Sequence, residues 1–312
     1  MVEEEKVYIV VLNWNGWRDT IPCLKSLEYI QGISMHVILV DNGSKDESVQ
    51  QLKAFVQQSS LRERLTFIEN DQNLGFAGGM NTGMERALKM GAQWVLLLNN
   101  DTTVDATFAR LMVDAAKADG RIGMVNPKIY LGDDPERLWS IGGKLNWMKT
   151  KGTHLGIGEI DHGQYDKPDV QDSAYTTGGC LLIRRDVIEK VGMLPLAYFV
   201  YYEDVEWSIL AQRAGWRTVV VPKARIWHKG AASSREFSEA YIRYHVRNGL
   251  LLVRRVGNPV QIIAAYAHSL LRALYQVLKW ILVPQKRMWA KAVLYGIADA
   301  WRGRSGFIKM TY

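Results

Sequence analysis

The sequence predicts an α/β protein with a mostly parallel central sheet, helices on both faces and a helical C-terminal extension. Three observations carry that reading. Through the first hundred residues, short runs of continuous apolar character alternate with helix-period segments. Strands that are apolar throughout are the ones buried on both faces of a parallel sheet. Those runs then stop on Asn, Asp or Gly, while from Tyr241 to Tyr312 the chain carries twelve Lys or Arg against one acid, Asp299.

Taken in order, 6–13 (KVYIVVLN) reads as a buried strand and 17–30 (WRDTIPCLKSLEYI) as a helix with apolar residues at helical spacing. A strand over 35–42 (MHVILVDN), a helix over 46–58, a strand over 65–70 and a helix over 77–91, closed by Gly91, follow the same alternation. The fourth strand, 94–101 (WVLLLNND), ends on two amides and a carboxylate. Residues 126–175 mix Gly, Asp, Trp and Lys with weak periodicity, and are expected to form loops and short strands around an acceptor. A strand leading into a helix follows over 174–192. Residues 198–230 then give an acidic helix start, a helix, a strand and a basic loop carrying His228.

In parallel sheets of this kind ligands bind beyond the carboxyl ends of the strands, where strand order reverses. The ends here are Asn13–Asn15, Asp41–Ser44, Glu69–Asn73 and Asn99–Asp101. Each alone is ordinary turn chemistry; four in succession on one edge point to a site. The first strand is followed by a single glycine, so the dinucleotide fingerprint is missing, and no phosphate-cradling P-loop occurs. The Gly-rich stretch 75–83 (GFAGGMNTG) suits phosphate contact or close helix–strand packing alike.

The length allows one large domain with an appendage, or two domains. With 48% hydrophobic residues the chain can bury a sizeable core. Cys23 and Cys180 have no nearby cysteine partner, which excludes a disulfide scaffold and fits a reducing cytoplasm. The acidic opening MVEEEK is not that of a signal peptide. Charge is unevenly spread: the C-terminal segment is +11, leaving −4 on residues 1–240 of the total +7. A basic, Trp- and Leu-rich tail on a mildly acidic body points to an anionic surface. Nucleic acid is set aside, because the basic residues alternate with aliphatic stretches and form no groove-reading motif.

The ordered set VVLNWNGWRDTIPCLKSL, VILVDNGSKDES, NLGFAGGMNTG, LLLNNDTTV, TGGCLLIRRDV, YYEDVEWSILAQRAGW and IWHKGAASS, spanning about 6–235, resembles bacterial glycosyltransferase family 2. Within that family it is most similar to the rhamnosyltransferase-like enzymes of O-antigens and related surface glycans. The resemblance implies a GT-A catalytic domain over 1–235 with a membrane-associating helical region over 236–312. It also implies a nucleotide-diphosphate sugar donor, Mg2+ or Mn2+, and an inverting hexosyltransferase reaction. Asp101 then stands where the family's D-x-D motif places its metal-binding carboxylate, although the motif here reads Asn99-Asn100-Asp101. With one acid instead of two, the donor's diphosphate must supply much of the charge that holds the metal. His228 resembles the family histidine that approaches the metal or the diphosphate, with Lys223, Arg225, Lys229 and Arg235 around it as an anion clamp.

By the same resemblance Asp41 reads the nucleobase, and Asn13, Asn73, Gly75, Asn81, Asn99, Asn100 and Lys229 contact the donor. Asp204 is the general base, a role compatible with helix capping, while Glu203, Glu206, Gly178 and Gly179 face the acceptor. Along 261–279 the polar residues Gln261, His268, Ser269, Arg272, Gln276 and Lys279 fall on one helical stripe. Two cations in so short a stretch argue against a spanning helix and for one lying in the bilayer interface. Together these features imply transfer from dTDP-rhamnose or a UDP-sugar to a lipid-linked saccharide, by a peripheral protein at the cytoplasmic face of the plasma membrane. The rivals are a sugar-phosphate nucleotidylyltransferase, which would carry a basic Gly-rich loop after the first strand, and a catalytically dead membrane-recruiting module, against which Asp101, Asp204 and His228 together argue.

Overall fold

The computed structural model describes residues 6–230 and 238–309. In chain order its elements are β1 (Lys6–Asn13), α1 (Trp17–Leu27), β2 (Ser34–Asp41), α2 (Ser48–Gln58), β3 (Leu65–Glu69), α3 (Gly75–Lys89), β4 (Trp94–Asn99), β5 (Thr102–Val104), α4 (Phe108–Ala118) and β6 (Ile122–Leu131). Next come β7 (Leu138–Ser140), β8 (Gly143–Asn146), β9 (Lys151–His154), β10 (Gln171–Asp172), β11 (Cys180–Arg184), α5 (Arg185–Val191), α6 (Glu203–Arg213) and β12 (Arg217–His228). The C-terminal helices are α7 (Glu239–Val256), α8 (Pro259–Leu282) and α9 (Arg287–Trp301).

The large sheet runs β10-β12-β6-β11-β4-β1-β2-β3. Strands β4, β1, β2 and β3 are mutually parallel, and β12 is parallel to β6. Between these two blocks β11 runs antiparallel to both β4 and β6. The chain leaves β1 toward β2 and β3 and returns on the other side of β1 as β4, so strand order reverses at β1 and β4 and opens a crevice at their carboxyl ends. Alternate strand residues feed two cores. Val7, Ile9 and Val11 meet Leu24, Leu27, Phe108 and Met112 on one face, while Val10, Val95 and Leu97 meet Met80, Met84 and Trp207 on the other.

Three local expectations change. Residues 126–131 belong to a ten-residue buried strand, β6, not to an irregular segment. The sequence hides it because Asn126 and Lys128 look like loop residues, yet Asn126 exchanges hydrogen bonds with Thr177 and Lys128 pairs with Asp161 and Asp166. Next, β12 continues through His228, so that residue ends a strand instead of riding a loop. The glycines of α3 serve packing: a Cβ on Gly79 or Gly83 would strike Leu12 or Val10 of the sheet beneath.

The third change concerns α8. Ser269 and Gln276 of its polar stripe are buried, with Gln261, His268, Arg272 and Lys279 half-buried against the rest of the molecule. The wide apolar face points outward instead, with Leu271 66%, Leu274 58%, Leu278 57% and Leu282 72% exposed. This is the reverse of an isolated interfacial helix, whose polar stripe would meet water. Beneath it, α7 and α9 share a core of Val246, Leu250, Val253, Val293 and Ile297.

Candidate active site

The polar strand ends bond to one another. From the end of β4, Asn100 Nδ2 donates to Thr20 Oγ1 at 2.8 Å, which donates to Asn13 Oδ1 at 2.8 Å. Asn13 Nδ2 donates to Asp41 Oδ2 at 2.7 Å, and Ser44 donates its backbone N–H and hydroxyl to the same carboxylate. β1 and β2 are in register with Asn13 beside Asp41, which puts the last residues of both strands side by side. A buried polar group needs partners, and each of these finds one in the chain.

The residues expected to contact the donor differ in their burial and partners. Asn13 is fully buried and Asp41 only 1% exposed, with Asn13's side chain bonded through both atoms; these two shape the floor of the crevice. Asn81 is spent outright on the backbone of Leu194, donating to its carbonyl and accepting from its N–H. Asn73, two residues ahead of α3's first residue, accepts from Gly75 N at 2.8 Å and from Asn42 Nδ2 at 3.1 Å. Gly75 has φ +76, and a Cβ there would overlap the Phe199 carbonyl. Asn99 and Asn100 are half-buried at and just beyond the end of β4, and the Lys229 ammonium is fixed by Asp19 at 2.7 Å.

Asp101 and His228 do come together. The pairing of β5 with β12 sets His228 opposite Thr102, and His228 Nε2 lies 3.0 Å from Asp101 Oδ1. Asn99 Nδ2 stands 3.4 Å from the same nitrogen. The spacing is that of an ion-pair contact, and it sets a carboxylate and an imidazole side by side, a donor set that a divalent cation can use. The other ring nitrogen, Nδ1, is buried without a hydrogen-bond partner among the described residues. No cluster of three or more acidic, His or Cys side chains occurs there, so any ion held here keeps most of its coordination open. The expected anion clamp shrinks. Lys223 and Arg225 alternate onto the opposite face of β12 from His228, and Lys223 pairs with Asp169. Arg235 lies outside the described residues.

The second half of the site is the head of α6. Asp204 accepts from Gly178 N through Oδ2 and from Val205 N through Oδ1, both at 2.8 Å. Burial pushes its carboxyl above the ordinary value, against the pull of those two N–H groups. Glu203 is 4% exposed, with Oε2 unpartnered among the described residues. Burial first, and then the Asp204 charge, push it well above the ordinary glutamate value. Glu206 is 2% exposed and its carboxylate is committed within the chain. Arg255 of α7 grips both its oxygens, at 2.7 and 2.9 Å, and Tyr198 donates its hydroxyl to it.

Gly178 and Gly179 join the two halves. Gly178 N holds Asp204, and the next residue's carbonyl accepts from Asn99 N at 3.0 Å. The segment is pinned from below by Asn126, which bonds Thr177 and Cys180. Over it stands Trp139, edge-on to His228 at 4.8 Å and tilted on His154 at 4.3 Å. Burial, with His228 nearby, lowers His154 to about 4 and keeps it neutral. No periodicity or motif in the sequence marks Trp139, His154 or Asn126 as part of the site; only the fold brings them there.

Comparison with known proteins identifies relatives of this chain. The N-acetylglucosaminyl-diphospho-decaprenol L-rhamnosyltransferase of Mycobacterium tuberculosis is 25% identical over 240 residues, covering 71% of this chain and 75% of that one. The dTDP-rhamnosyl transferase RfbF of Shigella flexneri is 21% identical over 319 residues, covering 96% and 97%. Among solved structures, the mannosyltransferase PcManGT of Pyrobaculum calidifontis, in complex with GDP-Man and Mn2+, superposes with a TM-score of 0.55 at 16% identity, over 96% of this chain and 87% of that one. GalNAc-T7 with UDP, GalNAc and Mn2+ gives 0.60 at 15% identity, over 77% of this chain, which spans about half (48%) of that one. These neighbours share the GT-A fold. Residues 8–192 match the family described as Glycosyl transferase family 2, well over half of the 312 residues, and this chain belongs to that family.

Proposed function

We propose that the protein transfers rhamnose from dTDP-rhamnose to a lipid-linked saccharide, with inversion at the anomeric carbon, as a peripheral protein at the cytoplasmic face of the membrane. The observation that carries this reading is the juxtaposition, through Gly178 and Gly179, of a raised carboxyl at Asp204 with the Asp101–His228 pair. The names of the mycobacterial and Shigella relatives, which specify rhamnose and, in the first, a decaprenyl diphosphate carrier, support the choice of donor and acceptor.

In this mechanism Asp204, its carboxylate oriented by the N–H groups of Gly178 and Val205, takes the proton of the acceptor hydroxyl. The oxygen so freed forms its bond to the anomeric carbon while the bond to the diphosphate breaks and its electron pair leaves with the nucleotide. A divalent cation, when bound, supplies Lewis-acid neutralisation of that departing charge; Asp101 and His228 would hold it. Lys229, fixed at the rim by Asp19, adds a positive charge near the diphosphate, and its pairing with Asp19 raises its pKa. Trp139 covers the His228 side of the crevice and keeps water from it.

The donor is tested by thermal unfolding against a panel of dTDP-, UDP- and GDP-sugars with Mg2+ or Mn2+. At about 100 times its dissociation constant the true donor should stabilise the fold by roughly 2.7 kcal/mol. Stabilisation by dTDP-rhamnose together with the cation is expected; stabilisation by GDP-sugars alone would contradict the choice of nucleotide.

No helix among the described residues is long and apolar enough to cross a membrane. The outward face of α8, with Lys286, Arg287 and Lys291 exposed beyond its end, supports attachment to an anionic lipid surface. The full chain is expected to float with anionic liposomes, less so at high salt. Leu271→Glu with Leu278→Glu should reduce flotation at least tenfold; equal flotation of that variant, or a solution dimer that covers α8, would overturn the attachment.

A further inference from the structure

The backbone just ahead of Asp204 takes a form that side chains resist. Phe199, Tyr201 and Tyr202 have φ of +68°, +67° and +78°. L-residues with a Cβ seldom enter this region, and bulky aromatics least of all, having no short polar group to bond locally. Such a conformation persists only where its surroundings impose it.

Here the surroundings are three consecutive residues of α7. Arg247 Nη2 donates to the Tyr198 carbonyl at 2.9 Å, and Asn248 Nδ2 donates to the carbonyls of Val200 at 2.7 Å and Tyr201 at 2.9 Å. Arg247 Nε in turn donates to Asn248 Oδ1 at 2.8 Å and fixes that amide, while Nη1 reaches the Gly306 carbonyl. Gly249 completes the set. Its missing side chain lets α7 lie against Thr150, whose carbonyl accepts the Tyr202 hydroxyl at 2.8 Å. Arg247 and Asn248 are both fully buried. No ion pair joins Arg247 to a carboxylate among the described residues, and burial lowers its pKa. A buried guanidinium held by carbonyls, an amide and the Tyr244 ring 5.0 Å away, with no carboxylate partner among the described residues, is a costly way to fill space. What it secures is the shape of 198–202, and hence where α6 begins.

We propose that Arg247 and Asn248 are positioning residues for transfer: by holding the left-handed backbone of 198–202 they set the Asp204 carboxylate against Gly178 at the reacting centre. This rests on the reading of Asp204 as the base. It makes α7 a working part of the catalytic unit.

The test is steady-state kinetics of the full chain as Asn248→Ala, Arg247→Lys and the double variant Asn248→Ala with Tyr201→Gly, beside Asp204→Asn. Asn248→Ala should lower kcat about tenfold or more, with both KM values within twofold. Arg247→Lys, which keeps the charge and loses the fork, should give the same split without removing a partner of Val200 and Tyr201. Glycine at 201 takes φ near +67° freely, so the double variant should recover most of the lost kcat; the melting temperature of Asn248→Ala, expected to stay near that of wild type, separates lost positioning from a general loss of fold. A kcat within twofold of wild type in both single variants overturns the proposal, as does parallel loss of kcat, KM and melting temperature with no rescue. Should Asp204→Asn prove active while Asn248→Ala is slow, the base assignment fails; Asp204→Asn inactive with Asn248→Ala normal removes the positioning role alone.

Discussion

Asp204→Asn is expected to lower kcat by about 10²–10⁴-fold, the usual contribution of a positioned general base, with donor affinity and melting temperature nearly unchanged. Asparagine keeps the size, and its carbonyl oxygen can still accept from Gly178 N or Val205 N, so α6 keeps much of its cap. It cannot take a proton. The neighbouring Glu203→Gln serves as the contrast. Its carboxyl is raised in the folded state by burial and by Asp204, so the folded protein holds that proton more tightly than the unfolded chain does. Wild-type stability then falls as pH climbs from the ordinary glutamate value of 4.5 through the raised folded value. The neutral amide has no such slope. Glu203→Gln should match wild type in melting temperature near pH 4, exceed it at pH 8, and lose far less turnover than Asp204→Asn. Near-normal turnover of Asp204→Asn would make this carboxylate a helix cap and place the base elsewhere.

Asp101→Ala is expected to cost at least about 10³-fold in turnover, since Lewis-acid stabilisation of a departing diphosphate is worth several kcal/mol. The fold should survive, because Asp101 lies in the turn between β4 and β5 and its backbone carbonyl, not its side chain, accepts from Lys229 N. His228→Ala should chiefly weaken donor binding. With one carboxylate and one imidazole in place, calorimetry should find weak cation affinity for the protein alone and stronger affinity once nucleotide diphosphate is present. Full activity of the purified protein in excess chelator would contradict the metal assignment.

How much of this was legible beforehand depended on where each residue found its partner. Strands β1 to β4 announce themselves because sheets covered on both faces need continuous apolar runs, and their polar ends mark the crevice. Asp101, His228 and Asp204 were readable as candidates from motif order. The asparagines were not sortable in advance: Asn99 at the rim, Asn13 in the floor and Asn81 on the Leu194 backbone look alike until their hydrogen bonds are drawn. Strand β6 was hidden because Asn126 and Lys128 are polar, and only long-range partners make them buriable. The stripe on α8 was visible in the sequence, but the sequence could not tell that the protein itself would cover it and turn the aliphatic face outward. Nor could spacing show that Arg247 and Asn248, about 45 residues beyond Asp204, hold the loop that leads into it.

The proposed reaction is one chemical event, sugar transfer by single displacement at a site shared by Asp204 and the Asp101–His228 pair. Its most direct measurement is the anomeric configuration, by NMR, of the sugar transferred from dTDP-rhamnose to a lipid-linked saccharide by the full chain with Mg2+ or Mn2+. A rhamnosyl product with configuration opposite to that of the donor is the predicted result. A product that retains the donor configuration, or no transfer from any nucleotide-diphosphate sugar, would contradict it.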